Sequence, residues 1–407
     1  LKILIAHNRY QQAGGEDSVV QHEVEMLTRR GHVVRRLNFD NDSIQGLGSL
    51  AISAIRSFYS RPSYKVASEV MASFRPDVLH VHNFVPTLSP SIFFAAHDAN
   101  VPVVETLHNY RLICANAQLF RDGMPCEKCL QSHSFLPGVR YACYRGSHVG
   151  SAVMGASMSI QEMLGTWRHR VGRFIVLTQF ASEKLGGSRV PREKIRIKPN
   201  FVIDQGTGNH KGKYALFVGR LSEEKGIRTL LQADTNQRLP FPLKIAGDGP
   251  LLVEIQRRSK SAGSQITALG RRSADEIVQL MKDATVLVVP SIWYEGLPMA
   301  MVEALSVGLP VIASRIGGLP EIIEDGVSGI LFEPGNDASL LNALERIASS
   351  MDAKTMSRSA RIRYLKTYDE DTNYITLLDI YREVACLPTQ HSGHASSSGF
   401  ELVNPHS

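Results

Sequence analysis

The sequence predicts an α/β protein of two doubly wound parallel-sheet domains facing a cleft. Three observations carry that reading. Short, fully apolar runs alternate with helical stretches from residue 3 onward, as in parallel sheets covered on both faces by helices. The alternation restarts at residue 214 after Asp204-Gln-Gly-Thr-Gly-Asn-His-Lys-Gly-Lys213, a glycine-rich polar stretch suited to an interdomain hinge. A chain of 407 residues is also long enough for two domains with separate cores. Each half is therefore expected to be Rossmann-like.

Composition narrows the class. The chain is 43% hydrophobic and 21% charged, which excludes collagen-like and disordered proteins. It has no apolar run of 18 residues, so no transmembrane helix is expected. The opening Leu1-Lys-Ile-Leu-Ile-Ala-His-Asn is too short an apolar run for a signal peptide and reads as a first strand. A cytoplasmic protein is the expectation. Residues 1–200 hold 24 Lys and Arg against 15 Asp and Glu, and the remainder 21 against 24, so the halves carry +9 and −3. A basic half suits nucleic acid, an anionic membrane face or a phosphorylated substrate. The basic-aromatic interleaving of a nucleic-acid reader is missing, so no nucleic-acid partner is expected. The densest basic run, residues 189–198, reads as a solvated loop or as a surface for peripheral contact with the inner membrane face.

In the first half, residues 3–6 read as a buried strand, 16–31 as a helix and 33–37 as the next strand. Gly14 and Gly15 stand where that helix begins, and without side chains they admit a ligand close to the backbone amides. Pro76-Asp-Val-Leu-His-Val-His-Asn83 and Pro102-Val-Val-Glu-Thr-Leu-His-Asn109 each read as a strand with a polar tip. Ligands in such sheets bind at the carboxyl ends of strands, so His80, His82 and His108 converge on one crevice, with His80 read as structural. Residues 150–164 form an amphipathic stretch, a core helix before a membrane contact. Residues 174–177 and 195–200 add strands, and the first domain ends near Asp204.

Four of the five cysteines cluster as Cys114, Cys126, Cys129 and Cys143, within an insertion of about residues 110–148. Cys126-Glu-Lys-Cys129 has the chelating two-residue gap, and the outer pair could complete a tetrahedral thiolate site. A structural zinc ion is one expectation; unligated thiols in a lid-like insertion are the other. Disulfides do not suit a reducing cytoplasm.

In the second half, residues 214–218 form a strand, and Gly219-Arg-Leu-Ser-Glu-Glu-Lys-Gly226 leads from it into a helix. Arg220 and Lys225 are placed to neutralise a diphosphate, the guanidinium as a bidentate fork and the ammonium as a point charge. Residues 243–250 run from a strand into another glycine loop, but neither a dinucleotide fingerprint in strand context nor a Walker A motif occurs. Residues 266–270 with Arg271 follow. An apolar run over 284–289 then leads into a loop bearing Glu295, Gly296 and Leu297, with Pro298 at the start of a helix over 299–305. Gly308 and Pro310 end that helix before the strand at 311–314. A helix N-terminus favours anions, and carboxylates accept hydrogen bonds from sugar hydroxyls. Glu303 is nearly the sole charge among Met, Val, Ala and Leu. Residues 353–386 read as helical, and the Ser-, His- and Gly-rich residues 388–407 as a disordered tail.

Glu295 to Glu303 has an E-x7-E spacing, and the sequence downstream runs Ser314-Arg-Ile-Gly-Gly-Leu-Pro-Glu-Ile-Ile-Glu-Asp-Gly-Val-Ser-Gly-Ile-Leu-Phe. Together these resemble the retaining GT-B glycosyltransferases of family four, the group 1 type, and the resemblance covers residues 2 to about 385. It implies an acceptor domain over 1–204, a nucleotide-sugar donor domain over 205–370 and a terminal helix over 371–387 that crosses back to the first domain. It also implies catalytic roles for His108, Arg220, Lys225 and Glu295. Donor contacts would come from Gly14, Gly15, Arg220, Lys225, Arg271, Glu295, Gly296, Leu297 and Glu303. His108 would support positive charge at the anomeric carbon, Glu295 the sugar hydroxyls, Glu303 the ribose, and Arg271 would lie beside the base. No cofactor is expected for catalysis. Asp40-Asn-Asp42 has the D-x-D form that another glycosyltransferase fold uses for metal, but its position here reads as loop. The partners implied are a nucleotide-diphosphate sugar and a glycan or lipid-linked acceptor, as in bacterial surface polysaccharide synthesis. Rival readings are a nucleotide-sugar epimerase of the same fold and a non-catalytic sugar-nucleotide-binding component of a polysaccharide assembly complex.

Overall fold

The computed structural model describes residues 1–9, 15–40, 56–85, 87–236, 239–349 and 353–386. Two six-stranded sheets, parallel throughout, form the centres of two α/β lobes. The first contains β1 (Lys2–Arg9), β2 (Val33–Asp40), β3 (Val78–Asn83) and β4 (Val103–Leu107). A two-stranded hairpin of β5 (Phe120–Arg121) and β6 (Met124–Pro125) stands outside the sheet, which β7 (Arg173–Val176) and β8 (Ile195–Ile197) complete. Its order is β2-β1-β3-β4-β7-β8. The chain reverses direction of winding between β1 and β3, and crevices for ligands open at the carboxyl ends of strands at such points.

The second sheet contains β9 (Ala215–Val218), β10 (Leu243–Ala246), β11 (Ile266–Gly270), β12 (Val286–Val289), β13 (Val311–Ser314) and β14 (Gly329–Phe332). Its order, β11-β10-β9-β12-β13-β14, places the reversal between β9 and β12. Those two strands carry the loops with Arg220 and Glu295, which explains why residues far apart in sequence share one rim.

Apolar runs become strands here because both faces are covered. Ile3, Leu4 and Ile5 are fully buried, as are Val286, Leu287 and Val288, and each such side chain contributes about 1.5–3 kcal/mol relative to exposure. Between Ala6 and His7 the register against β3 shifts, so that His7 pairs with Asn83. A bulge of this kind re-aims side chains at a strand end.

The segment read as one helical run over 353–386 is two helices, Ala353–Thr367 and Glu370–Ala385. The break has a local cause: the Asp369 side chain accepts a hydrogen bond from the Thr372 amide and caps a new helix. Ala360 and Tyr364 of the first helix pack in the second lobe's core. Leu377, Ile380 and Tyr381 of the second pack against Ile3, Ile5 and Val20. The chain thus returns to the first lobe at residues 368–369. The linker is extended and held to the second lobe by backbone bonds from Gly208 to Val307, His210 to Lys282 and Gly212 to Asp283. The tail over 388–407 and residues 41 and 42 of the D-x-D stretch lie outside the described residues.

Four cations of the basic run 189–198 are tied to internal partners, while Arg192 is exposed. Arg189 pairs with Glu162 at 2.6 Å, Lys194 donates to the carbonyls of Arg168 and Val171, and Arg196 pairs with Glu383. Lys198 is buried 3.1 Å from Glu23. Charge counting misses this because long cationic side chains reach back to internal partners.

Candidate active site

The rim of the second lobe is assembled by close backbone packing. Gly226 has φ +72°, and a Cβ there would stand 1.7 Å from the Pro290 carbonyl oxygen. Only glycine fits such a position. It locks the 219–226 loop against the loop that follows β12. Lys225 Nζ consequently donates to both oxygens of Glu295, at 2.7 and 2.9 Å, and Ser291 Oγ donates to Oε1 at 2.6 Å. Glu295 is buried at 4% exposure, and a carboxylate that deep needs such partners.

Eight residues on, Glu303 lies in the helix Met299–Ser306. It is half-buried, and burial raises its carboxyl above the ordinary value. Among the described residues no hydrogen bond engages its side chain. Arg220 and Arg271 are both exposed and likewise unpartnered among the described residues. Leu297 is buried.

The two lobes meet at this loop. A Cβ on Gly296 would stand 2.8 Å from the His108 carbonyl oxygen, and one on Gly15 would stand 3.4 Å from Met299 Cγ. The N-terminus of helix Gly15–Arg29 therefore abuts the start of helix Met299–Ser306. Gly14 lies outside the described residues. Alongside, Tyr294 packs edge-on to Phe180 with centroids 4.7 Å apart. The backbone amides of Gln179 and Phe180 donate to Glu321 at 2.6 Å each. The structure thus gathers Lys225, Glu295, Gly296, His108 and Gly15 into adjoining surfaces, while Arg220, Arg271 and Glu303 offer free polar ends.

Behind His108 lies a buried polar network. His82 Nδ1 is 3.0 Å from His108 Nε2, and His82 Nε2 is 2.9 Å from Glu23 Oε2. His80 sits deeper, bonded to Tyr381 and Thr106 at 2.7 Å each, so its structural reading fits the geometry. Burial pushes His80 and His108 well below the usual imidazole range, assisted by the neighbouring His82, so both are neutral. Burial would push the Glu23 carboxyl up, but Lys198 and His82 outweigh it and hold it well below the usual range. Sequence reading passed over Glu23, although it lies on the buried face with Val19, Val20, Met26 and Leu27. A carboxylate on an apolar stripe is the signal that could have found it. Glu23, His80 and His82 bring three donor atoms within 4.8 Å of one another. Both His80 nitrogens are engaged and Lys198 lies beside the carboxylate, while the buried Glu23 Oε2 and His82 Nε2, 2.9 Å apart, make no hydrogen bond among the described residues.

The four cysteines Cys114, Cys126, Cys129 and Cys143 are all free thiols and line one small cavity in the insertion.

Two doubly wound lobes, with cations and carboxylates at the carboxyl ends of facing strands, define the GT-B architecture. The solved structure of Anabaena HepE in complex with UDP shares it, with a TM-score of 0.66 over 93% of this chain and 99% of that one at 18% identity. Residues 14–200 match the glycosyl transferase 4-like domain and residues 201–363 the glycosyl transferases group 1 model, and the chain belongs to that group 1 family. An uncharacterized glycosyltransferase of Methanocaldococcus jannaschii is 34% identical over 46% of this chain and 52% of its own length. The amylovoran biosynthesis glycosyltransferase AmsK of Erwinia amylovora is 26% identical over 54% of each chain. The chain spans about half the length of these curated relatives.

Proposed function

We propose that the chain is a retaining glycosyltransferase that moves a sugar from a nucleotide-diphosphate donor to an acceptor hydroxyl, without a catalytic metal. The observation that carries this reading is the Lys225–Glu295 pair at the mouth of β9 and β12, directly ahead of the helix Met299–Ser306. The barrier to transfer is separation of a sugar cation from a diphosphate anion. Arg220, Lys225 and the amides at that helix start stabilise the departing charge. Glu295 orients the sugar hydroxyls, Glu303 the ribose, and Arg271 borders the base. The neutral His108 faces the sugar from the opposite lobe. No side chain is placed as an evident nucleophile, so the acceptor attacks on the face the diphosphate leaves, and the leaving phosphate takes its proton. The meeting of Gly296 with His108 excludes water and limits donor hydrolysis.

HepE, the structural neighbour, binds UDP, and AmsK acts in amylovoran biosynthesis. By that analogy the donor is a nucleotide sugar and the acceptor a growing polysaccharide or lipid-linked glycan. Leu136, Val149 and Met163 are exposed apolar side chains of the first lobe, of the kind that peripheral contact with an inner membrane face would use. No helix among the described residues is long and apolar enough to cross a membrane.

The test is a panel of nucleotide sugars, screened by thermal stabilisation and then by transfer with excess chelator present. A donor that stabilises the protein and yields an α-linked product from an α-linked donor supports the reading. Interconversion of a donor without any acceptor would replace it with epimerase activity. Binding with neither transfer nor slow hydrolysis would reduce the protein to a binding component.

A further inference from the structure

The cavity in the insertion is shaped for an ion. Its volume is about 10 Å³, and all four clustered cysteines line it. That is room for about one water-sized sphere, too little for an organic ligand. No carboxylate or imidazole lines it, and its charged wall residues are the cations Arg121 and Lys128. A zinc ion held by four thiolates carries a net charge of −2, which those two cations offset.

The backbone is arranged for the sulfurs. The amides of Leu119, Asn116, Gln118 and Ala117 face the Cys114 sulfur, and those of Gly138 and Ala115 face the Cys129 sulfur. Gly138 is confined by the same packing, since a Cβ there would stand 2.7 Å from the Ala115 Cβ and 3.4 Å from Cys129 Sγ. The hairpin of β5 and β6 joins the outer Cys114 to the Cys126–Cys129 pair.

We propose that Cys114, Cys126, Cys129 and Cys143 form a structural tetrathiolate zinc site. Binding releases four protons, one from each thiol, as four Zn–S bonds form. Among the described residues, only the Glu23 cluster brings three metal-ligating atoms within 4.8 Å of one another. No three of the cysteine sulfurs thus lie within 4.8 Å of one another, against the edge of about 3.8 Å that Zn–S bonds of about 2.3 Å require. Binding therefore requires the side chains to rotate into the cavity they share.

The site also reaches the cleft. Glu127, next to Cys126, pairs with Lys184 at 2.6 Å and faces the Tyr294 hydroxyl. Tyr294 immediately precedes Glu295. The ion would thus hold Glu127 as a brace on the loop that carries the buried carboxylate.

Elemental analysis of the full chain, loaded with zinc under reducing conditions and desalted, tests the proposal independently of any transfer activity. About one zinc per chain is expected, retained in Cys386→Ser and lost in Cys126→Ser/Cys129→Ser. Thiol labelling keeps the test decisive if the double variant does not fold. In the loaded wild-type chain one of the five cysteines should react rapidly, and all five after chelation, with a reversible fall in melting temperature. Less than about half an equivalent of zinc, five reactive thiols in the loaded chain, or full zinc retention by the double variant would each overturn the site.

Discussion

Lys225 Nζ lies 2.7 and 2.9 Å from the two carboxylate oxygens of Glu295, which is buried at 4% exposure. Removing the ammonium strands that carboxylate with Ser291 as its remaining donor. Lys225→Ala should cost about 2–3 kcal/mol of stability and abolish detectable transfer. Thermal melts and a transfer assay check both. A variant that keeps wild-type turnover would remove Lys225 from the donor site.

Arg220 presents the opposite case. It is exposed, with no partner among the described residues, so Arg220→Ala should leave stability within about 0.5 kcal/mol. If the guanidinium binds diphosphate, donor affinity should fall about tenfold or more, the worth of a charge-assisted hydrogen bond. Calorimetric titration with the nucleoside diphosphate measures this directly, and unchanged affinity would count against the assignment.

Two glycines separate folding from catalysis. Gly226→Ala meets the Pro290 carbonyl at 1.7 Å with φ at +72° and should destabilise the protein by about 3 kcal/mol or more. Gly296→Ala meets the His108 carbonyl at 2.8 Å, across the lobe boundary. Its melting temperature should fall less than that of Gly226→Ala, since the lobes can part, while turnover falls about 100-fold, as expected of misplaced reacting groups. Equal losses of stability in both variants would contradict this division.

Glu105 provides a pH dependence. It is buried in β4, and burial raises its carboxyl well above the usual range. A raised folded value means that its stabilising effect is fully present below the unfolded value near 4.5 and is lost as pH rises through the folded value. Glu105→Gln should therefore flatten the decline in melting temperature as pH rises above about 4.5. Parallel melting profiles for parent and variant would refute this.

His80 and His108 act on the acid side. Their folded values are lowered, so the stability they contribute is present above about 6.5 and is lost as pH falls through those lowered values. The melting temperature should begin to drop below about pH 6.5. Denaturation profiles across this range test it.

Much of the architecture is legible in local sequence. The run ahead of Pro290, the proline before Met299 and the glycine-rich segment before residue 214 mark a strand, a helix start and a linker through chemistry confined to neighbouring residues. The break at Asp369 is also local, a side-chain cap inside a helical pattern, and stands beside the start at 371 that the resemblance implies for the terminal helix. The partners of the basic run could not be read locally, because Glu23, Glu162 and Glu383 lie elsewhere in the chain.

Strand period, turn residues and motif spacing are short-range properties, so the chain order alone suffices for two α/β lobes and for the residue types at their rims. Partner choice is different. Lys225 and Glu295 are separated by 70 positions, and Lys198 meets a carboxylate from the first helix. Such pairs form because strand order brings distant loops to one edge, where burial makes an unpaired charge too costly to keep. Their identity therefore belongs to the packed molecule.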